Sequence, residues 1–355
     1  MKFNNFIILA FISIVALSCE KDLSITDTPD LNVSLEKSNF KVDEEVVFTF
    51  TGYAEIVSFY SGEVFNDYDY KDGRVIEFPD QSAILSFQSG VREGTQENQL
   101  SVLISNDFDG DTSSLESVKS SNWIDITDSL TLGDSEDFTS SGNFDISEYT
   151  EGNPIYVAFK YITRPQLENG DARIWMIENF AVKSKDSFNG SQLNFVNQNT
   201  AGFYAVDEDP INTPSRSTVT STRLSILGNS YEDPEDPKYD PENPIYDPEN
   251  PIYDPDSDVY DPSAELPEYE PYDPNNPNND PMRETWVITK PIFTNEVDLG
   301  PDRAVGIRGI QDQKLVEYTY SYSNPGNYKA VFVGKNATKD ESVSIVKEVD
   351  ITIEP

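Results

Sequence analysis

Glu45-Val-Val-Phe-Thr-Phe-Thr-Gly52 decides the fold class. Val46, Phe48 and Phe50 alternate with Val47, Thr49 and Thr51, and a period of two puts one apolar set on one face of a strand. The same alternation recurs outward from this stretch. It runs through Leu100, Val102 and Ile104, then through Ile155, Val157, Phe159 and Tyr161. Near the end it returns in Tyr328, Ala330 and Phe332, and in Ile345, Lys347, Val349, Ile351 and Ile353. Residues 174–182 are apolar on both parities, which predicts a central strand covered on both sides. No segment carries a 3.6-residue apolar period, and Gly, Asn, Asp and Ser clusters punctuate the runs at short intervals. The expectation is an all-β protein built of β-sandwich domains.

The 355 residues are enough for two or three domains. With 20 Phe and 19 Tyr, and 37% hydrophobic residues, the chain can build cores of a polar, β-rich kind. Its 64 acidic residues against 25 basic ones give a net charge of -39. A surface of that sign repels nucleic acid and anionic lipid, so no nucleic-acid partner is expected. Neutral glycans, cations or basic protein surfaces are the partners that remain.

One stretch departs from the strand pattern. Residues 231–281 hold 13 of the 23 prolines, 17 acids and a single base, Lys238. A seven-residue repeat runs through it, beginning at Tyr239, Tyr246, Tyr253 and Tyr260 with Tyr-Asp-Pro each time. Proline at this density opposes helices and sheet ladders, and like charges repel. The sequence predicts a long disordered, extended and solvated acidic segment, reaching up to about 150 Å at ~3.1 Å per residue. A spacer, a low-affinity calcium sponge and a docking strap for a basic partner are its functional readings. A solvated loop is the plain one.

The N-terminus carries an address. Lys2 is followed by an apolar run over residues 6–17 and then by Ser18-Cys19, the single cysteine of the chain. The run has the length of a signal-peptide core and is too short to span a bilayer. A cysteine at the cleavage point marks a bacterial lipoprotein, although a stricter lipobox has Leu where Ala16 stands. Residues 1–18 are thus expected as signal peptide, Cys19 as the lipid anchor, and 19–30 as a tether. There is no histidine. With Cys19 acylated, no Cys/His metal site and no Ser-His-Asp or Cys-His nucleophile system can form. Paired carboxylates remain for glycoside hydrolysis, but among 64 acids a pair carries no information. No enzymatic activity is expected.

Several segments carry a resemblance. Asn32-Val-Ser-Leu35, the opening stretch and Val57-Ser-Phe-Tyr-Ser-Gly-Glu63 resemble the first half of a PKD-type sandwich. Tyr318-Thr-Tyr-Ser-Tyr322, Pro325-Gly326-Asn327-Tyr328 and residues 329–333 resemble its second half. Between them, Leu100-Ser-Val-Leu-Ile-Ser-Asn-Asp-Phe-Asp-Gly110, Trp123-Ile-Asp-Ile126, Gly142-Asn-Phe-Asp-Ile146, Ile155-Tyr-Val-Ala-Phe-Lys-Tyr161 and Ile174-Trp-Met-Ile-Glu-Asn-Phe180 resemble jelly-roll modules of bacterial adhesins and carbohydrate-binding proteins. The combination resembles a family of Bacteroidota surface lipoproteins of unknown function. Members of that family are typically associated with SusC/SusD-like glycan uptake systems. Glu20-Lys21-Asp22 resembles the export signals that send such lipoproteins to the outer face of the outer membrane. The domains implied are a split PKD-like sandwich (31–63 and 311–355), a jelly-roll-like domain (64–230 and 282–310) and the acidic loop or linker (231–281). If the strands near residues 223–227 and 286–289 belong to one jelly roll, the acidic tract is a loop inside that domain.

The function expected is a non-catalytic surface lipoprotein that binds a neutral poly- or oligosaccharide beside a SusC/SusD-like importer. A surface adhesin that binds protein or host matrix is the alternative, and a glycoside hydrolase ranks third. Sugar sites stack pyranose rings on aromatics, which makes Trp123, Trp175 and Trp286 the glycan candidates. Trp123 is expected at a strand start near a rim. Trp175 and Trp286 lie inside strand-like runs, where a large aromatic is usually core. Tyr318, Tyr320 and Tyr322 share one strand face, as a platform or, by the PKD resemblance, as structure. Asp107, Asp109 and Asp111 alternate as in a calcium loop. Glu178 falls where related jelly rolls carry an aspartate ligand to structural calcium, the one cofactor considered. Asp67-Tyr-Asp-Tyr-Lys-Asp-Gly73 is a poorer loop, because Lys71 takes its fifth position.

Overall fold

A computed structural model of the chain describes residues 28–152, 154–164, 169–208, 216–228 and 282–355, with Asp256, Asp258 and Tyr260 in addition. The expected signal peptide and Cys19 lie outside the described residues, as does nearly all of the acidic repeat. In chain order the strands are β1 Asn32–Ser34, β2 Asn39–Lys41, β3 Glu45–Thr51, β4 Ile56–Tyr60, β5 Val75–Glu77, β6 Ala83–Arg92 and β7 Leu100–Ser105. Then follow β8 Ile124–Asp125, β9 Thr139–Ser140, β10 Phe144–Asp145, β11 Tyr156–Thr163, β12 Ile174–Phe188, β13 Ser191–Asn197, β14 Tyr204–Asp207, β15 Thr218–Val219 and β16 Arg223–Ile226. The last six are β17 Arg283–Ile288, β18 Glu296–Asp298, β19 Val305–Arg308, β20 Glu317–Ser321, β21 Gly326–Ala337 and β22 Ser342–Glu354. One α-helix among the described residues, α1 Leu115–Lys119, is too short to show a period in sequence. β5 and β18 form a separate two-stranded ribbon.

The chain divides into two compact units, Met1–Val75 with Asp298–Pro355, and Ile76–Val297. In the first, a sheet ordered β1-β3-β20 faces one ordered β19-β4-β21-β22-β2. The opening stretch behaves as its alternation demands: Val46, Phe48 and Phe50 are buried, and their neighbours are exposed. They meet Phe59 and Phe332 from the facing sheet, with Phe48 and Phe332 rings 4.8 Å apart. β20 pairs with β3, so distant parts of the sequence close one core. Tyr318 and Tyr320 pack half-buried on Phe59, and buried Tyr322 donates to the Ser61 carbonyl at 2.8 Å. This unit takes in residues 64–75 and 298–310 because β19 pairs with β4 and Arg74 is tied to Asp302.

The second unit is a sandwich of its own. A seven-stranded sheet has the path β10-β6-β12-β16-β15, with β13 on β12 and β9 on β6. It packs against a five-stranded sheet ordered β14-β17-β11-β7-β8. Leu85, Phe87, Ile177, Phe180 and Val182 of the first meet Val102, Ile104, Val157, Phe159 and Val287 of the second. The acidic tract therefore leaves after β16 of one sheet and returns at β17 of the other, both inside this unit. On the outer face of the five-stranded sheet, Leu115 and Val118 of α1 cover a smaller apolar cluster around Phe108, Tyr156 and Trp286. The middle of β12 is covered on both faces only in part. Met176 and Ala181 are buried outward, whereas Asn179 is open.

Candidate functional site

One extra residue in β12 shapes the site. Glu178 lies opposite Gln88 of β6 and Ala181 opposite Ser86, so β12 advances three residues while β6 advances two. Such a bulge bends the strand and leaves a backbone group unpaired. Asn179 takes it up with a φ of 54°, in the left-handed region that asparagine tolerates better than most residues. Its side chain stands outward and donates through Nδ2 to Gln88 Oε1 at 2.6 Å. Phe180 turns inward, where its ring meets Phe203 at 4.9 Å. The Phe180 N–H freed by the bulge donates to Gln198 Oε1 at 3.0 Å, from the turn after β13. That bond fixes the direction of the Gln198 amide, and its buried Nε2 has no partner among the described residues.

The walls are turns of short polar residues. Asn197 Oδ1 accepts from the Asn199 N–H at 3.0 Å and the Thr200 N–H at 3.2 Å, an Asx-type closure. Thr220 Oγ1 accepts from the Arg223 N–H at 2.9 Å and holds the 220–222 hairpin beside β12. Together they enclose an open cleft of about 430 Å³ on the outer face of the seven-stranded sheet. Asn179, Asn194, Asn197, Gln198 and Asn199 supply five amides, Ser221 and Thr222 two hydroxyls, and Lys183 an ammonium. The amides divide by task. Asn197 and Gln198 hold backbone N–H groups and Asn179 holds Gln88, while Asn194 and Asn199 make no side-chain bond among the described residues. Replacing Gln198 by Ala is expected to cost about 1–3 kcal/mol of stability, because it orphans the Phe180 N–H. Chemical denaturation followed by Trp emission checks this, and the neighbouring Asn199→Ala serves as a near-neutral control.

Two ion pairs flank the cleft on the same face. Glu178 Oε1 accepts from Arg223 Nε at 2.6 Å. Asp145 Oδ2 meets Lys185 Nζ at 2.6 Å. The Lys185 bond, with the Ser147 hydroxyl and N–H, holds the Asp145 carboxyl down at about 2. Asp145 therefore stays ionised through ordinary acidification, and its pairing with Lys185 persists to near that pH.

The tryptophans stand elsewhere. Trp175 is 8% exposed and faces the core, because its parity on β12 matches Ile177. Trp286 is 3% exposed beneath Trp123, their rings 5.4 Å apart. A buried ring offers no open face to a sugar, so of the three only half-buried Trp123 keeps surface. Trp123 immediately precedes β8, and its Nε1 donates to the Val118 carbonyl at 2.8 Å. Trp286 Nε1 donates to Glu284 Oε2 at 3.1 Å. Burial opposes ionisation of Glu284, but Lys119 at 2.6 Å, Trp286 and Lys160 outweigh it and hold the carboxyl below its ordinary value.

The carboxylates of the expected calcium loop accept hydrogen bonds from the chain around them. Asp107 Oδ1 accepts from Ser105 Oγ at 2.8 Å and the Asn122 N–H at 3.0 Å. Asp109 accepts from the Asp111 N–H at 2.9 Å, and Asp111 from the Ser113 N–H at 3.0 Å. Glu178 belongs to a different sheet and is paired with Arg223. In the other loop, Asp67 caps the turn at Tyr68–Tyr70 by accepting from the Asp69 N–H. Among the described residues no group of three or more His, Cys, Asp or Glu is placed to hold a metal ion.

The sequence reading did not single out the cleft. Its residues are ordinary surface types, spread from position 179 to 222, and only the bulge and two turns gather them. A family model described as "Domain of unknown function (DUF5017)" matches residues 18–203, just over half of the chain. That range holds the bulge and all five cleft amides. No curated protein and no solved structure matches the chain.

Proposed function

The chain belongs to the DUF5017 family, and we propose that its second unit binds a glycan in the amide-lined cleft without chemistry of its own. The observation that carries this reading is the composition of the cleft: five amides and two hydroxyls around a space of about 430 Å³. That is within the range of small-ligand sites, roughly 300–1,000 Å³. Amides both donate and accept, which suits the hydroxyls of a sugar, each a donor and an acceptor. No aromatic ring lies open along the cleft, since its one lining aromatic, Phe180, is 1% exposed. Recognition thus runs through hydrogen bonds to hydroxyls and not through stacking.

The N-terminal sequence adds the setting. Residues 1–19 support a lipoprotein anchored through Cys19, and the resemblance of Glu20-Lys21-Asp22 to export signals supports the outer face of the outer membrane. The resemblance in sequence supports an accessory role beside a SusC/SusD-like importer.

Calorimetry of the full chain against a panel of soluble oligosaccharides tests the reading. At least one is expected to bind, and Asn194→Ala with Asn199→Ala is expected to weaken it by about 1–3 kcal/mol, two hydrogen bonds' worth. Binding that survives the double substitution would place the site elsewhere. Binding to a host protein and to no glycan would favour the adhesin reading.

A further inference from the structure

We propose that the cleft selects a saccharide carrying an anionic substituent, a carboxylate or a sulfate ester, and that Lys183 is the residue that reads it. The inference rests on the glycan reading above and narrows its ligand class.

The argument begins with the charges on the outer face of the seven-stranded sheet. Residues 178, 183 and 185 of β12 all point to this face, because the opposite parity, Trp175, Ile177, Phe180, Val182 and buried Ser184, points inward. Two bases on this face have carboxylate partners, Arg223 with Glu178 and Lys185 with Asp145. Lys183 lies between the two pairs, opposite Asn194 on one side and Ile84 on the other. Among the described residues it has no ion pair and no side-chain hydrogen bond. It is also the one ionisable side chain among the described residues that line the cleft.

Acids outnumber bases 64 to 25 in this chain. A base left without a carboxylate there, in a cleft otherwise lined by uncharged residues, is matched by charge on the ligand. The hydroxyls of the same sugar would fall to Asn194 and Asn199, the two amides with no other task.

The net charge of -39 does not oppose this at physiological salt. Exposed charges are largely screened beyond a Debye length, about 8 Å at 0.15 M. A direct ammonium contact is shorter than that, and a charge-assisted hydrogen bond is stronger than a neutral one. The field of the whole chain sets a penalty on long polyanions. The cleft sets a preference for one charged sugar unit.

The test is calorimetry of the full chain at about 0.15 M salt. Uronate oligosaccharides and sialyllactose are each compared with their own methyl esters, and sulfated oligosaccharides with their desulfated forms. Each ester pair differs by one charge and one methyl group, and each sulfated pair by the sulfate group. At least one charged form is expected to bind about tenfold more tightly than its capped partner, the worth of one charged contact. Lys183→Met should bring that ratio close to one, and Lys183→Arg should keep most of it. Unchanged thermal melting of both variants, read by Trp emission, confirms that the sheet is intact. Equal affinity for charged and capped forms, or a ratio indifferent to Lys183→Met, overturns the inference and leaves glycan binding standing. If no saccharide binds at all, charged or neutral, the glycan reading falls and this inference with it.

Discussion

Asp302→Ala is expected to lower the stability of the first unit by about 3–5 kcal/mol, among the largest effects of any single substitution in this chain. Asp302 and Arg74 are each 5% exposed. Arg74 Nε donates to Asp302 Oδ1 at 2.9 Å and its second terminal nitrogen to Oδ2 at 2.7 Å, a two-pronged pair with fixed geometry. Its guanidinium lies 3.5 Å from the centre of the Tyr70 ring. Asp302 Oδ2 also accepts from the Asp67 N–H at 2.9 Å and ties the 61–73 loop to the returning chain. Removing the carboxylate leaves a buried guanidinium with no hydrogen-bonded counter-charge and only the Asp67 carboxylate at 4.0 Å, which costs more than the pair contributes over an apolar substitute. Replacing both partners, Arg74→Met with Asp302→Leu, is therefore expected to recover most of the loss.

The three tryptophans, at 123, 175 and 286, all lie in the second unit. Tryptophan emission thus reports that unit alone, and calorimetry reports both. The calorimetric transition without an emission change should fall by about 15 °C for a domain of this size. A fall of less than about 4 °C would show that solvent or a neighbour replaces Asp302.

The same pair predicts a dependence on pH. The Arg74 hydrogen bonds, working against burial, hold the Asp302 carboxyl below its ordinary value of 3.8. A depressed folded-state value means that the unfolded chain binds the proton more readily. The contribution is fully present above the unfolded value, near 4, and is lost as pH falls through the folded one. Wild type and Asp302→Ala should therefore converge in stability as pH drops below about 4. A gap that stays constant to pH 2 would assign the loss to packing and not to charge.

Phe159→Ala is expected to destabilise the second unit by about 3–5 kcal/mol and to abolish cleft binding well below the wild-type melting point. Phe159 is fully buried at the middle of β11, paired with Val102 on one side and Val287 on the other. Its ring meets Phe87 at 5.2 Å, Phe203 at 6.1 Å and Phe180 at 6.2 Å. These four rings join the two sheets, and the cavity left by alanine would lie directly behind Phe180. Phe180 is also the residue whose N–H holds Gln198 at the cleft. Core and site are thus one packing problem. Tryptophan emission should show the transition lowered by about 10 °C. Phe159→Leu, which keeps most of the volume, should recover more than half of that. Equal losses for the two would mean that the core is specific to an aromatic ring.

Most of the strands were legible because period-two alternation survives without knowledge of partners. The 45–51 and 100–104 stretches and residues 156–161 lie in strands with the predicted apolar parity inward, and Ile155 pairs just before its strand. α1 was invisible, since five residues cannot display a period and its N-cap Ser114 resembles any other loop serine. The aromatic candidates show a limit of composition. Trp175 and Trp286 share strands with apolar neighbours, and parity sent both to packed faces. The expected calcium loop shows another. Alternate aspartates suit an ion, but they equally suit nearby donors: Asp109 and Asp111 bond the N–H groups two residues on, and Asp107 bonds the Ser105 hydroxyl and the Asn122 N–H.

By itself the sequence determined a chain of β-sandwich character, an acidic proline-rich interruption and the absence of histidine chemistry. These follow from periodicity, residue type and counts, which need no partner to be read. The tertiary structure alone decided where a ligand could sit. A single extra residue between Glu178 and Ala181 turns Asn179 outward, leaves the Phe180 N–H for Gln198, and draws two distant turns beside β12. A bulge changes no residue type and no count, and its consequence lies in which strands it bends past each other. For that reason Asn194, Asn199 and Lys183 read as ordinary surface residues until β6, β12 and β13 are paired.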